Sequence, residues 1–229
     1  MASAELAAII GAEPDEIAIA ESISMNLFTC LLGAARLRPE HPLLAVGQDS
    51  FANDQYLARS AAEFAGRELR LLRDIDDLEA ALRDGVAAVA MSHVDVLSGE
   101  IRDPVELTRL IHEHGGLALW DLSHSAGALR VALDEWGADF AIGAGFRYLG
   151  GGAGAPSYSY VAHRHHAALA ELGEAAADPL SKGFGVPSPL SMAELRAGLS
   201  ILSGVDSGAL ESKSTGLVEV FRDRLLGDG

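Results

Sequence analysis

Apolar positions in this chain fall into two kinds of run. Short blocks at Ile17–Ala20, Leu43–Val46, Val86–Met91, Leu117–Trp120, Asp139–Gly143 and Tyr158–Val161 are apolar at nearly every position. That pattern predicts strands buried on both faces. Glu68–Leu72 adds a further strand. Between the strands lie longer stretches with helix signals. Ser3–Gly11 reads as a short amphipathic helix closed by a glycine, and Ser24 is placed to cap a strongly apolar helix over Met25–Leu37 that Pro39 ends. Asp54–Ala65 and Asp76–Arg83 read as helices, and Pro104 opens another that runs to His114 before Gly115-Gly116 stops it. After a loop over Asp178–Pro189, Met192–Leu202 and Asp206–Leu226 form two closing helices. Strands alternating with helices predict an α/β fold of three layers around a mostly parallel sheet. Residues 1–178 form its large domain, and residues 179–229 a loop with two C-terminal helices.

Ligands of such sheets gather at the carboxyl ends of the strands. Five strand ends here are followed by polar or aromatic residues: Glu21-Ser22-Ile23-Ser24, Asp49-Ser50-Phe51-Ala52-Asn53-Asp54, Ser92-His93-Val94-Asp95, Asp121-Leu122-Ser123-His124, and Gly145-Phe146-Arg147-Tyr148-Leu149. A glycine-rich stretch, Gly150-Gly151-Gly152-Ala153-Gly154, follows the last. Their convergence predicts one pocket for a small molecule. The helix start near Ser24 offers free N–H groups and a positive dipole end to an anion, although taken alone ordinary capping is the better account of it.

Composition narrows the partners. The formal charge of −16 repels phosphate backbones, so nucleic acid is not an expected partner. No apolar run approaches the ~18 residues of a membrane span, and no basic and apolar leader opens the chain, so a cytoplasmic location is expected. Cys30, the only cysteine, sits in an apolar run and reads as a buried thiol. The tract His163-Arg164-His165-His166 reads as a solvated helix start, with no further ligand nearby in sequence, and no metal site is expected. Lysine is scarce: Lys182 and Lys213 stand against fifteen arginines.

Several segments in series resemble kynureninase, a fold-type I enzyme dependent on pyridoxal 5′-phosphate (PLP). They are Trp120-Asp121-Leu122-Ser123-His124-Ser125-Ala126-Gly127, Gly137-Ala138-Asp139-Phe140-Ala141-Ile142-Gly143 and Tyr148-Leu149-Gly150-Gly151-Gly152-Ala153-Gly154-Ala155-Pro156. Ser22-Ile23-Ser24-Met25-Asn26-Leu27, Asp49-Ser50-Phe51 and Gly185-Val186-Pro187-Ser188-Pro189 match in the same order. The resemblance implies that Ile23 and Ser24 hold the cofactor phosphate, Phe51 stacks on the pyridine ring, and Asp121 pairs with the ring nitrogen. It places His124 against the ring, and Ser92 and Asp54 in the same pocket wall.

The departures matter as much. Where the family carries tyrosine-lysine, this chain has Phe146-Arg147. A guanidinium stays protonated at neutral pH, so it is neither an amine nucleophile nor a proton shuttle. Lys182, in a Gly/Pro loop, and Lys213, on a surface-like helix, are poor substitutes. Measured against the family, the chain is expected to lack an N-terminal arm and most of the small C-terminal domain, with a short loop from Asp178 to Phe184 in place of an aromatic stretch. Three functions stay open. One is a repurposed bacterial domain without PLP lyase activity, binding a small-molecule ligand or using Asp121 and His124 for PLP-independent acid–base chemistry, with Arg147 as a fixed cation in the same catalytic set. A second is a catalytically dead subunit of a homodimer or of a pair with a related chain. The third is non-covalent binding of PLP or its amine form; no covalent cofactor is expected in any of them.

Overall fold

The apolar runs become strands whose alternate residues feed two cores. Ala118 and Trp120 face one side of the sheet while Leu117 and Leu119 face the other. We describe residues 2–20, 22–48, 50–172 and 186–227 in a computed structural model. The strands are β1 (Ile17–Ala20), β2 (Leu43–Gly47), β3 (Glu68–Leu72), β4 (Val86–Ser92), β5 (Leu117–Asp121), β6 (Phe140–Ala144) and β7 (Ser157–Val161). They form one sheet in the order β1-β7-β6-β5-β4-β2-β3. From β3 to β6 every neighbouring pair is parallel, while β7 runs antiparallel to both β6 and β1. Two reversals bring β1 back to the direction of β6, so its end, Ala20, lies beside Ser157 and one strand from Ala144. The mostly parallel sheet is therefore present, with an antiparallel edge that the apolar runs alone do not reveal.

Helices cover both faces. On one side pack α1 (Ala2–Ile10), α4 (Ile75–Arg83), α5 (Pro104–Glu113), α6 (Leu133–Trp136) and α8 (Pro189–Leu202), around Leu6, Ile10, Leu82, Ile111, Trp120 and Leu199. On the other pack α2 (Ile23–Leu37), α3 (Ala52–Ala65) and α7 (His166–Leu172), around Leu31, Ala34, Ala58, Ala62 and Leu169. The last helix, α9 (Ser207–Gly227), buries no residue. Cys30 is fully buried in the second core, and burial pushes its thiol far above the ordinary range, as a core role requires.

Local chemistry explains the boundaries. Asp103 accepts from the N–H groups of Val105 and Glu106 and Pro104 takes the first helical position, fixing the start of α5. Asp74 does the same for α4 through the N–H of Asp77. Two starts differ from expectation. Helix α2 begins at Ile23 behind Ser22, so Ser24 lies inside the first turn and is not the cap. Helix α3 begins at Ala52 behind Phe51, which draws Asp54 into its first turn. The glycine-rich stretch is a platform for α8: Gly150 has φ +71, and a Cβ on Gly198 would collide with the carbonyl of Leu149. The expected loop over Asp178–Pro189 lies largely outside the described residues, as do Lys182, Asp49, Glu21 and the boundary at residue 178. Among the described residues no helix is long and apolar enough to cross a membrane.

Candidate functional site

A cavity of about 210 Å³ opens at the carboxyl edge of the sheet. It is lined by Ile23 and Ser24 from the start of α2, and by Phe51, Asn53 and Asp54 from the start of α3. Asp121 and Ser123 follow from β5, and Ala144, Phe146 and Arg147 from β6. Four of the five strand-end segments thus meet there. The fifth does not. Ser92 pairs in register with Asp121 but is buried off the cavity, and its carbonyl accepts from Nη1 of Arg102 at 2.8 Å. His93 is a core residue, its ring 4.8 Å from that of Trp136 and 6.4 Å from that of Trp120. Burial lowers its pKa to about 4, outweighing the charge of Glu211.

Each lining group is held by its own element. The Nδ2 of Asn53 donates to Oγ of Ser24 at 3.0 Å, tying the starts of α2 and α3 together. The side chain of Ser22 makes no capping bond to α2, so the first-turn N–H groups beside Ile23 and Ser24 have no side-chain partner from the cap. Directly after β5, Oδ1 of Asp121 accepts from the N–H of Ser123 at 2.8 Å, which fixes the carboxylate at the cavity wall. The ring of Phe51 stacks on that of His124, with centroids 6.1 Å apart and planes at 27°. The guanidinium of Arg147 lies over the Phe51 ring at 5.7 Å and over the Phe146 ring at 5.3 Å. Beneath the site Gly143 faces Tyr158 across the antiparallel pair; a Cβ there would collide with Cζ and the hydroxyl of Tyr158. The Tyr158 hydroxyl, Nε2 of His124 and Oγ of Ser123 are buried without hydrogen-bond partners.

Electrostatics couple four of these groups. Burial raises the pKa of Asp121, against the hydrogen bond from the Ser123 N–H and the charges of His124 and Arg147. Asp54 is pushed up to about 6, first by burial and then by the charge of Asp121, with Arg147 opposing. Burial and Arg147 lower the pKa of His124, against Asp121, and so favour neutral imidazole. A carboxyl titrating near 6 beside a second carboxylate and a fixed cation is equipped to hold or release a proton near neutral pH.

That raised value carries a sign. The folded state holds the Asp54 proton more tightly than the unfolded chain, whose carboxyl ionises near 3.8. Its contribution to stability is therefore complete below about pH 4 and is lost as pH rises through about 6. Asp54→Asn should match the native chain near pH 4 and exceed its stability by about 1 kcal/mol at pH 7, after allowance for solvent screening. Urea midpoints at the two pH values check this; equal differences at both would remove the electrostatic account.

Sequence reasoning placed Ile23, Ser24, Phe51, Asp54, Asp121, His124 and Arg147 in one region, and the first five with Arg147 line the cavity while His124 backs Phe51. It gave no role to Asn53, whose signal is its position next to Asp54 at a helix start, or to the orphaned Tyr158 hydroxyl, which β7 supplies from the antiparallel edge. A larger cavity of about 520 Å³ lies near the ends of β2, β3 and β4. Arg73 on its wall is already bonded to Asp77, and Arg102 to Ser92, so neither converges on a ligand position.

Residues 2–155 match the family described as aminotransferase class-V. The kynureninase of Deinococcus radiodurans is 37% identical over 96% of this chain and 57% of its own length. The kynureninase of Burkholderia mallei is 34% identical over 94% of this chain and likewise 57% of its own. This chain thus spans a little over half the length of these relatives. A cysteine desulfurase structure from Escherichia coli, 17% identical, superposes with a TM-score of 0.80 over 98% of this chain and 62% of that one, a likeness of fold. The fold is that of the large domain of fold-type I enzymes, and the chain belongs to the aminotransferase class-V family.

Proposed function

We propose that this domain has given up a covalently held PLP and uses the remaining pocket for a small anionic ligand, with Asp54, Asp121 and His124 available for proton transfer. The observation that carries the reading is Arg147. It stands where the kynureninase resemblance requires a lysine, and its guanidinium lies against the ring of Phe51. Tested against PLP, the residues fit in part. The start of α2 with Ser24 suits a phosphate, and the carboxylate of Asp121 suits a protonated ring nitrogen. The linking position does not fit, because a guanidinium forms no imine, and its place over Phe51 is where the resemblance would put the cofactor ring.

What the pocket residues do for a ligand follows from their chemistry. The uncapped first turn of α2 and the guanidinium of Arg147 attract an anionic group. Asp54 releases a proton near pH 6 and Asp121 adds a second carboxyl within the field of Arg147, while neutral His124 keeps one ring nitrogen with a lone pair. The test is absorbance of the purified native chain titrated with PLP, followed by borohydride and mass spectrometry. The expected result is no reducible adduct; an adduct on any side chain overturns the proposal.

A second reading, assembly with another subunit, is favoured by α9, which leaves Leu217, Val218, Val220, Phe221, Leu225 and Leu226 exposed. Sedimentation equilibrium decides it: a monomer at micromolar concentration rejects self-assembly through that face.

A further inference from the structure

The tract His163-Arg164-His165-His166 divides into two unrelated uses. Arg164 and His165 turn inward to Asp139, with His165 buried and stacked on Phe140 at 5.7 Å. His163 and His166 turn the other way, their rings 5.0 Å apart, toward Asp15 in the single 3-10 turn that precedes β1. One donor atom from each of Asp15, His163 and His166 lies within 4.8 Å of the others.

We propose that Asp15, His163 and His166 bind a divalent first-row transition ion, zinc by the chemistry of the donors, as a clasp across the open edge of the sheet. Three features beyond proximity support this. First, Nε2 of His166 lies 2.9 Å from the carbonyl of Val161 and must carry the proton to bond it, which leaves Nδ1 as the lone-pair nitrogen. A metal-binding imidazole is commonly oriented by such a bond from its other nitrogen to a carbonyl. Second, the two segments are pinned to each other before any ion arrives. The carboxylate of buried Glu16 accepts from the N–H of His163 at 2.7 Å and from the N–H of Glu13 at 2.9 Å, spanning 147 residues of sequence. Third, the surroundings are negative. Glu13 and Glu16 both act on nearby Asp134, and the neighbouring cation, Arg164, is committed to Asp139 and to the carbonyls of Gly137 and Ala138.

Two imidazoles and one carboxylate suit zinc, cobalt or nickel, whereas magnesium and calcium prefer all-oxygen shells. Tetrahedral zinc wants donors about 3.3 Å apart, and the exposed side chains of Asp15 and His163 have room to close the difference. Solvent supplies the remaining position. The site sits where β1 starts and β7 ends, at the opposite edge of the sheet from the cavity, so it is independent of the ligand pocket.

The test uses the full chain without a polyhistidine tag, stripped with chelator. Zinc is titrated calorimetrically against a competing chelator, and melting is followed with zinc or magnesium. One equivalent of zinc should bind and raise the melting temperature, and magnesium should do neither. His163→Ala and Asp15→Asn should each weaken binding about tenfold or more, on the scale seen when support of a metal ligand is removed. His114→Ala, remote on α5, should not weaken it. Asp15 is exposed and the change to Asn replaces one atom by another of similar size, so that variant reports even if the histidine variant misfolds. Absence of a saturable single equivalent, or native affinity in Asp15→Asn, overturns the proposal.

Discussion

Arg147→Lys is expected to take up added PLP with a visible absorbance band and a link that borohydride makes permanent, where the native chain forms none. The substitution restores only the amine; apart from a tyrosine hydroxyl at position 146, the other members of the cradle are already present. Ser24 and the uncapped start of α2 lie on one side of the cavity, Asp121 on its floor, and Phe51 with His124 forms an aromatic stack. Replacing a fixed guanidinium by a primary amine also lifts the cation from the face of Phe51. The phosphate side is then complete except for the hydroxyl missing at Phe146, which Phe146→Tyr in the same chain would return. If Arg147→Lys fails to bind PLP while remaining folded, the cavity is not a cofactor cradle, and Asp121 and Phe51 have another reason to be where they are. If native protein is labelled equally well, the guanidinium is not what prevents the link.

Asp139→Ala should cost about 3 kcal/mol, because it leaves buried donors without their acceptor. The carboxylate is almost wholly inaccessible and receives four donors. Oδ1 accepts from Nη2 of Arg164 and Nε2 of His165, each at 2.7 Å, and Oδ2 from Nε2 of His112 at 2.6 Å and the N–H of Ala118 at 2.8 Å. Burial alone would raise its pKa, but the hydrogen bonds from His112, His165 and Ala118 outweigh this and hold it far below the usual carboxylate range. Its stabilising contribution is thus present above about pH 4 and fades as pH falls through the depressed value. Truncation strands Ala118's N–H and the buried imidazole of His165 together. Urea unfolding at pH 7 reads the loss; a change under 1 kcal/mol would mean that water replaces the carboxylate without cost. Because the cluster ties β5, β6, α5 and the turn after β7, the same variant should also loosen the clasp side of the sheet.

Most of the architecture could be read from the pattern of apolar residues, because strands buried on both faces have no polar alternation to confuse with loops. Leu43–Val46, Val86–Met91 and Leu117–Trp120 all end within a residue of the strands observed. The start of α2 was misplaced because Ser22 and Ser24 are equally able to cap, and only the backbone of Ser22, extended at φ −129, decides between them. The antiparallel edge is invisible locally: Ile17–Ala20 and Tyr158–Val161 look like the parallel strands, and it is their pairing that sets direction. At the site, Asp121, Phe51 and Arg147 stand out because strand ends of a parallel sheet converge on one rim. The solvated reading of the histidine tract fails at Arg164 and the buried His165, because their partner Asp139 lies 24 residues before His163 and no local periodicity brings it near. Ser92 has the right position along its strand, but the pleat buries it away from the opening.

Helix α9 has a consequence of its own. A 21-residue helix with no fully buried residue is held mainly by its internal ladder, and Gly208 and Gly216 weaken that ladder further. Its tie to the body is at the first turns, where Glu211 accepts from the N–H of Arg130. Peptide amides beyond that anchor should trade hydrogen for deuterium long before those of the central strands, and a nick there would leave the seven-stranded platform standing.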